Sequence, residues 1–536
     1  MKTMKRTGLV GLLALIALGG YVGCASSDDD GGRTSGDFGS GPIAATGGNY
    51  DGGGLGTGTG GVLGYGGDLG GLPEEEEDLT AFRAPVATGD YLWFANPESS
   101  RVALISAVTL EVQLLTAGFQ PTYVASVPRP AGEHSALVLN VGSEDATWFR
   151  VKDAVVEKSM FETHAHANRI TVSASGKWAV VWSAEGSDEL DPTDGLQDIT
   201  LVRLNGTDVT TYRLTVGYRP TQVAFDAEEK RAIVVSEPGI SILDLEAATP
   251  ESSSFIDLSS GDGRDVSLTP SGDLALVRRT GEPTIDVVSL DGSGVTSVTL
   301  SGPVTDLDLS ADGTRAVAVV REKRELSVLA LPDIVTSPTT FDTVKVDDEL
   351  FGSAALTADG KTAALYTTAV ESDRVIVVDL APGIDYLASR VVEVKAPVTT
   401  VSTTPDGEHA VALLGAVPGS DNPGSFAVIP LRAPRFPRVV GTLAPVSEVA
   451  IGSEYALLTT SNVVTEAFEA HLVRMPSLSV DAVRLSSPPL SAGILAERAL
   501  GYVAQSHPEG RVSILDFENS GARTLTGFEL AAKVVE

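Results

Sequence analysis

Five dipeptides constrain this chain more than any other feature. Ser175-Gly176, Ser271-Gly272, Asp312-Gly313, Asp359-Gly360 and Asp406-Gly407 place their glycines 96, 41, 47 and 47 residues apart, the first interval being two units. A period in the forties is the signature of a repeat architecture. Each pair is followed by an apolar strand, as in Trp178-Ala179-Val180-Val181, Leu274-Ala275-Leu276-Val277, Arg315-Ala316-Val317-Ala318-Val319, Ala363-Ala364-Leu365-Tyr366 and Ala410-Val411-Ala412-Leu413. A strand ending in Leu or Phe comes next, such as Val377-Val378-Asp379-Leu380 or Ile514-Leu515-Asp516-Phe517, and a further short strand such as Val295-Thr296-Ser297-Val298-Thr299-Leu300 closes the unit. Four short antiparallel strands are what one propeller blade needs, because a twisted four-stranded sheet buries both faces only against neighbours. An unclosed β-solenoid is the competing arrangement, but its repeats are usually shorter.

The expected fold class is therefore all-β, a β-propeller of four-stranded antiparallel blades over residues 79–536. Ten candidate units begin near 90, 120, 167, 219, 263, 303, 352, 397, 445 and 489. Propellers typically have about four to eight blades, so the expectation runs from 7 to 10 blades, with surplus units as insertions.

The repeats resemble the YVTN family of β-propeller repeats, itself WD40-like. Asp90-Tyr91-Leu92-Trp93-Phe94-Ala95-Asn96 stands where such repeats carry a strand ending in Asn. Gly118-Phe119-Gln120-Pro121-Thr122-Tyr123-Val124-Ala125 and Gly217-Tyr218-Arg219-Pro220-Thr221-Gln222-Val223-Ala224 match the blade-opening segment and each other. The tail from Gly527 to Val535 resembles these segments, which predicts that it supplies the innermost strand of the first blade. For function the resemblance implies two classes. One is a platform that binds or scaffolds a protein or small ligand; the other is an enzyme of the lactonase or quinoprotein-like class, with its site at the central channel.

The N-terminal part speaks of address. Lys2, Lys5 and Arg6 precede an apolar run from Leu9 to Leu18, which is too short for a comfortable membrane span. Val22-Gly23-Cys24 resembles a bacterial lipobox, with Tyr21 where Leu is usual, and Cys24 is the only cysteine of the chain. The expectation is a signal peptide over 1–23 and lipidation at Cys24. Ala25, rather than Asp, follows that cysteine and favours the outer membrane, with the propeller periplasmic or surface-exposed. Residues 24–78 read as a tether: 19 of the 56 glycines fall between Gly31 and Gly71, and Glu74 to Asp78 is an acidic block. A glycine-rich coil over 25–72 has a root-mean-square reach of about 35–40 Å. Gly56-Thr57-Gly58-Thr59-Gly60-Gly61 satisfies G-x-G-x-x-G, but without a strand before it or a helix after it this is composition.

Charge narrows the partners. With 38 Lys plus Arg against 71 Asp plus Glu the formal charge is -33, which repels nucleic acids and anionic membrane surfaces. Contact with a membrane would run through the N-terminal lipid. Gly360-Lys361-Thr362 resembles the end of a phosphate-binding loop, yet Ala355 replaces its first glycine and the segment reads as a blade turn. Six histidines are too few for multi-histidine haem or copper centres, so no cofactor is expected beyond a calcium candidate. That candidate is Asp191, Asp194 and Asp198, which surround a glycine turn in an acidic insertion but lack EF-hand spacing. His164 and His166 stand two apart and share a side if extended. All four tryptophans fall in the first three units, where Trp178 and Trp182 fit either a binding surface with the histidine pair or the blade core. No residue is assigned a catalytic role.

Overall fold

A computed structural model describes residues 85–153, 155–184, 195–258, 263–432, 435–528 and 534–535. The described chain is a closed ten-bladed β-propeller. Its ten sheets take consecutive strands in meander order, nine with four strands and the last with five, and neighbouring strands are antiparallel. Blade 1 runs from Val86–Thr88 to Val112–Thr116, and blade 10 from Pro489–Leu495 to Ala522–Thr526. The ten inner strands start within four residues of the unit starts expected at 90, 120, 167, 219, 263, 303, 352, 397, 445 and 489. None of the units is an insertion. A single four-residue helix, Asp333–Thr336, and two 3₁₀ turns are the helical elements among the described residues. None of them is long and apolar enough to cross a membrane.

The second strands read as unbroken apolar runs because both of their faces are covered. In Arg315–Val320 of blade 6, Ala316, Ala318 and Val320 pack toward blade 5, whereas Val317 and Val319 pack toward blade 7. The same division recurs round the ring. Ten separate hydrophobic cores result, each shared by two consecutive blades, and the tenth joins Tyr502, Val512 and Ile514 of blade 10 to Leu92, Ala103 and Ile105 of blade 1. Burying a side chain of this size stabilises by about 1.5–3 kcal/mol, so each blade depends on both neighbours.

The recurring turn joins the first and second strands, and a hydroxyl three residues before its glycine builds it. In blade 7, Gly360 N donates to Thr357 O at 2.7 Å, Thr362 N donates to Thr357 Oγ1 at 3.0 Å, and Thr357 Oγ1 donates to Asp359 Oδ1 at 2.9 Å. Gly360 has φ +64°, and a Cβ there would lie 3.0 Å from Ser310 Cβ of the blade before. A side chain there is strained by the left-handed conformation and crowded by the preceding blade together.

Arginines carry the polar traffic between blades. Arg150 donates to Gly206 O at 2.9 Å, Arg315 to Gly360 O at 2.6 Å, Arg390 to Leu431 O at 3.0 Å, and Arg523 to Ala107 O at 3.1 Å, each acceptor lying on the next blade. Arg432 reaches back from blade 8 to Asp359 of blade 7, and also holds Glu408 of its own blade.

Ring closure departs from expectation. The innermost strand of blade 1 is Val86–Thr88, so that place is filled from the N-terminal side. The tail instead pairs with the outermost strand of blade 10, Leu525 opposite Val535 and Thr526 opposite Val534. Phe528 enters the closing core and meets Phe94 at 5.1 Å between ring centres. Arg498 grips Asp90 through two bonds of 2.7 Å, and Tyr502 Oη donates to Pro85 O at 2.7 Å. Face packing closes the ring, while the tail covers an outer edge. Ile514→Ala should therefore cost about 2–5 kcal/mol in denaturant unfolding. Truncation after Phe528 should cost only about 1 kcal/mol, from the lost edge hydrogen bonds.

Candidate functional site

Meander topology sorts the connections onto two faces. Links between second and third strands, and those from one blade to the next, share the face at which residues 1–84 join the ring. First-to-second and third-to-fourth turns share the other.

On the joining face of blade 3, the chain departs furthest from a plain repeat. Two segments meet there, the link 163–168 from blade 2 and the insertion between Trp178–Trp182 and Asp198–Asn205. Ser183 Oγ donates to His166 O at 2.9 Å, and Asn168 and Ala184 exchange two bonds of 2.8 and 3.0 Å. On the returning side, Val216 N donates to Gln197 O at 2.8 Å and Arg219 N to Leu196 O at 3.0 Å, which ties the insertion to the link toward blade 4.

The link is a turn, with His166 at φ +59°, so the two imidazoles part. His164 is 4% exposed, its Nδ1 3.1 Å from Thr200 Oγ1 and its Nε2 3.3 Å from Ser183 Oγ. Burial pushes its pKa down to about 4, so it is neutral at ordinary pH. His166 is exposed. Trp178 and Trp182 belong to the core between blades 3 and 4, and Trp182 Nε1 donates to Thr171 Oγ1 at 3.0 Å. Asp198 opens its strand, takes a bond from Thr215 Oγ1 at 3.3 Å, and bonds its own N–H to Gly195 O at 2.8 Å. Asp191, Asp194 and Cys24 lie outside the described residues.

Sequence reasoning missed a polar belt on the inner strands. At equivalent register positions stand Arg169, Asp265, Asp306 and Glu448, each facing its second strand partner across the ladder. The charged groups near the belt are largely spent on neighbouring backbone. Arg264 donates to Ser236 O at 2.8 Å, and Arg278 to Thr305 O at 2.9 Å. Asp306 and Asp308 accept N–H bonds from blade 7. Glu448 is pushed up to about 7 by burial. The readable signal was the alternation in Asp306-Leu307-Asp308-Leu309, which sets two carboxylates on one side of a strand.

A groove of about 500 Å³ lies on the opposite face between blades 4 and 5, lined by Asp226, Lys230, Arg231, Asp244, Glu246 and Asp273. Its cations are already engaged, since Arg231 holds Asp226 and Asp273, and Lys230 holds Glu228.

No protein-family model matches the chain, and no curated protein matches it in sequence. Among solved structures it is similar to a eukaryotic initiation factor, at 11% identity over 84% of this chain and 96% of that one, with a TM-score of 0.47. It is also similar to dihydro-heme d1 dehydrogenase NirN in complex with DHE, at 11% identity over 77% of each chain and a TM-score of 0.41. A third similarity is to apo AztD from Citrobacter koseri, at 12% identity over 63% of this chain and 92% of that one, with a TM-score of 0.39. Likenesses at this level say nothing of activity, and the propeller assignment rests on the strand pairing.

The buried histidine gives a pH prediction. A folded pKa below the ordinary value means that the unfolded chain takes up the proton first, so this stability is present above about 6.5 and is lost as pH falls toward 4. Of the acid destabilisation between pH 6.5 and 4, about 3 kcal/mol should vanish in His164→Gln, measured by denaturant unfolding against pH.

Proposed function

We propose that this chain is a cell-envelope lipoprotein of the YVTN-type repeat class whose propeller serves as a binding or scaffolding platform. Residues 1–23 are the export signal, Cys24 carries lipid, and the glycine-rich stretch is the tether that holds the ring off an outer membrane. The observation that carries the binding reading is the meeting of the 163–168 link with the ends of the blade 3 insertion. A packed blade has no need of that insertion, and elaborated loops on a rigid scaffold are where recognition usually lies. Both segments lie on the face that the tether joins. A reach of about 35–40 Å leaves room there for a protein partner. The engagement of Asp306, Asp308, Arg264 and Arg278 with neighbouring backbone supports the platform reading over an enzyme at the channel.

Mass spectrometry of the native N-terminus should find an acylated Cys24; a soluble product starting at Ala25 would contradict the anchor. Removal of residues 186–194 should leave the melting of the ring unchanged and reduce recovery of envelope partners in affinity capture. Equal recovery would move the contact surface elsewhere, and turnover of a lactone or alcohol by the purified ring would favour the enzyme class.

A further inference from the structure

At three solvent-facing positions of the repeat, most blades carry polar residues while blades 9 and 10 carry apolar ones. The link into blade 9 has Leu443 where corresponding links have Ser301, Lys395 and Ser486. A bulge near the start of the inner strand holds Thr122, Thr221, Thr399 and Ser447 in blades 2, 4, 8 and 9, but Leu490 in blade 10. The connection between second and third strands of blade 9 is Val463-Val464-Thr465-Glu466, whereas blades 1 and 6 use Pro97-Glu98-Ser99-Ser100 and Arg321-Glu322-Lys323-Arg324. Turns of that kind have no need of β-branched apolar residues. Val463 is 70% exposed and Val464 95%, with Leu443 at 48% and Leu490 at 58%. Asn462 Nδ2 donates to Leu443 O at 3.5 Å, which sets the blade 9 turn beside the link.

All four side chains belong to the joining face, close to the entry of residues 1–84. Tyr502 of blade 10 donates to Pro85 O at 2.7 Å, so the chain enters against that blade. Elsewhere on this face the exposed large apolar side chains among the described residues are Phe119 and Val141 at blade 2 and Val370 at blade 7. Phe119 already lies over Gly142, where an added Cβ would be 2.5 Å from its ring.

We propose that residues 62–72 of the same chain cover the apolar patch on blades 9 and 10. This segment lies outside the described residues. Val62, Leu63, Tyr65, Leu69 and Leu72 put five large apolar residues into eleven, against Phe38, Ile43, Tyr50 and Leu55 in the thirty-seven of 25–61. Leu72 stands thirteen positions before Pro85, up to about 45 Å of extended chain. Packed sheets lie about 10 Å apart, so blades 10 and 9 are within reach. Covalent attachment holds the segment at an effective concentration of about millimolar, which lets a modest apolar contact persist. The acidic run Glu74 to Asp78 then crosses blade 10, where Arg511 bonds the hydroxyls of Thr526 and Ser487, each at 3.0 Å, rather than a carboxylate. An anionic membrane is a poorer occupant, since the formal charge of -33 repels it. The contact needs no lipid on Cys24. It leaves 25–61 as the free tether, with a reach of about 30–36 Å, and leaves the elaborated links of blade 3 open.

Photo-crosslinking of the full chain, purified in detergent with benzoylphenylalanine in place of Tyr65, tests the contact. Peptide mapping should place the cross-links within one chain, on the segments that carry Leu443, Leu490 and the Val463-Val464 pair. In the Val463→Asp, Val464→Asp variant the yield should fall by about tenfold, the worth of one buried valine, with the melting of the ring unchanged. Val141→Asp at blade 2 should leave the yield as it was. Should the double variant melt early, Leu490→Thr, which restores the hydroxyl of the other blades, should lower the yield in its place. Cross-links spread round the ring, formed with a second copy or with added vesicles, or insensitive to these substitutions would overturn the proposal, as would their absence. A chain found without lipid at Cys24 would refute the anchor and leave this contact standing.

Discussion

A twisted four-stranded sheet with apolar side chains on both faces cannot stand in water alone, and the rest of this structure follows from that constraint. Each second strand sends alternate residues to opposite neighbours, so the ten cores form a chain of dependencies. Such a chain has two bare ends unless it closes. Closure here sets Leu92, Ala103 and Ile105 against Tyr502, Val512 and Ile514, and the core they share is built like the nine others. The ring thus has no weak terminal blade. Covalent continuity is unnecessary, because a face of apolar side chains supplies what a shared strand would.

Polar groups obey the same geometry. The chain is strongly acidic, and its limited cations serve where bare carbonyls meet across a gap: Arg150, Arg315, Arg390 and Arg523 each reach a backbone oxygen of the next blade. Indole N–H groups inside the cores find hydroxyls, as Trp93 does with Thr88 at 2.7 Å and Trp148 with Ser135 at 2.8 Å. With the scaffold satisfied in this way, variation is confined to links and insertions. The turn at His166 and the insertion after Ser183 are departures of this kind, and the proposed binding role rests on them.

Much of the fold was legible because the turn needs a glycine for two reasons at once, a left-handed conformation and the closeness of the preceding blade. Both act at every repeat where that geometry holds, so the spacing survives even where the surrounding residues vary. In blade 4, Asp226 takes the place of the hydroxyl and Glu229, at φ +53°, that of the glycine, which hid this unit from a search for glycine turns. Ring closure was not legible. Gly527-Phe528 looks like a blade opening, yet Phe528 is drawn into the closing core and the tail goes to an outer edge, an outcome set by partners some 400 residues away. The same limit applies to the site. Two histidines two apart share a face only in extended chain, and the turn at His166 separates them. Asp306 and Asp308 carried no mark of their partners in the sequence, because the N–H groups that hold them belong to the next repeat.

The fold depends on ten blades in an unbroken ring. Electron cryo-microscopy of the purified chain, viewed down the channel, tests that most directly. Ten radial sheets should appear, with the gap between blades 10 and 1 as tight as the other nine. An open arc at that position, or a smaller ring with repeats displaced from it, would contradict the interblade cores on which everything else rests.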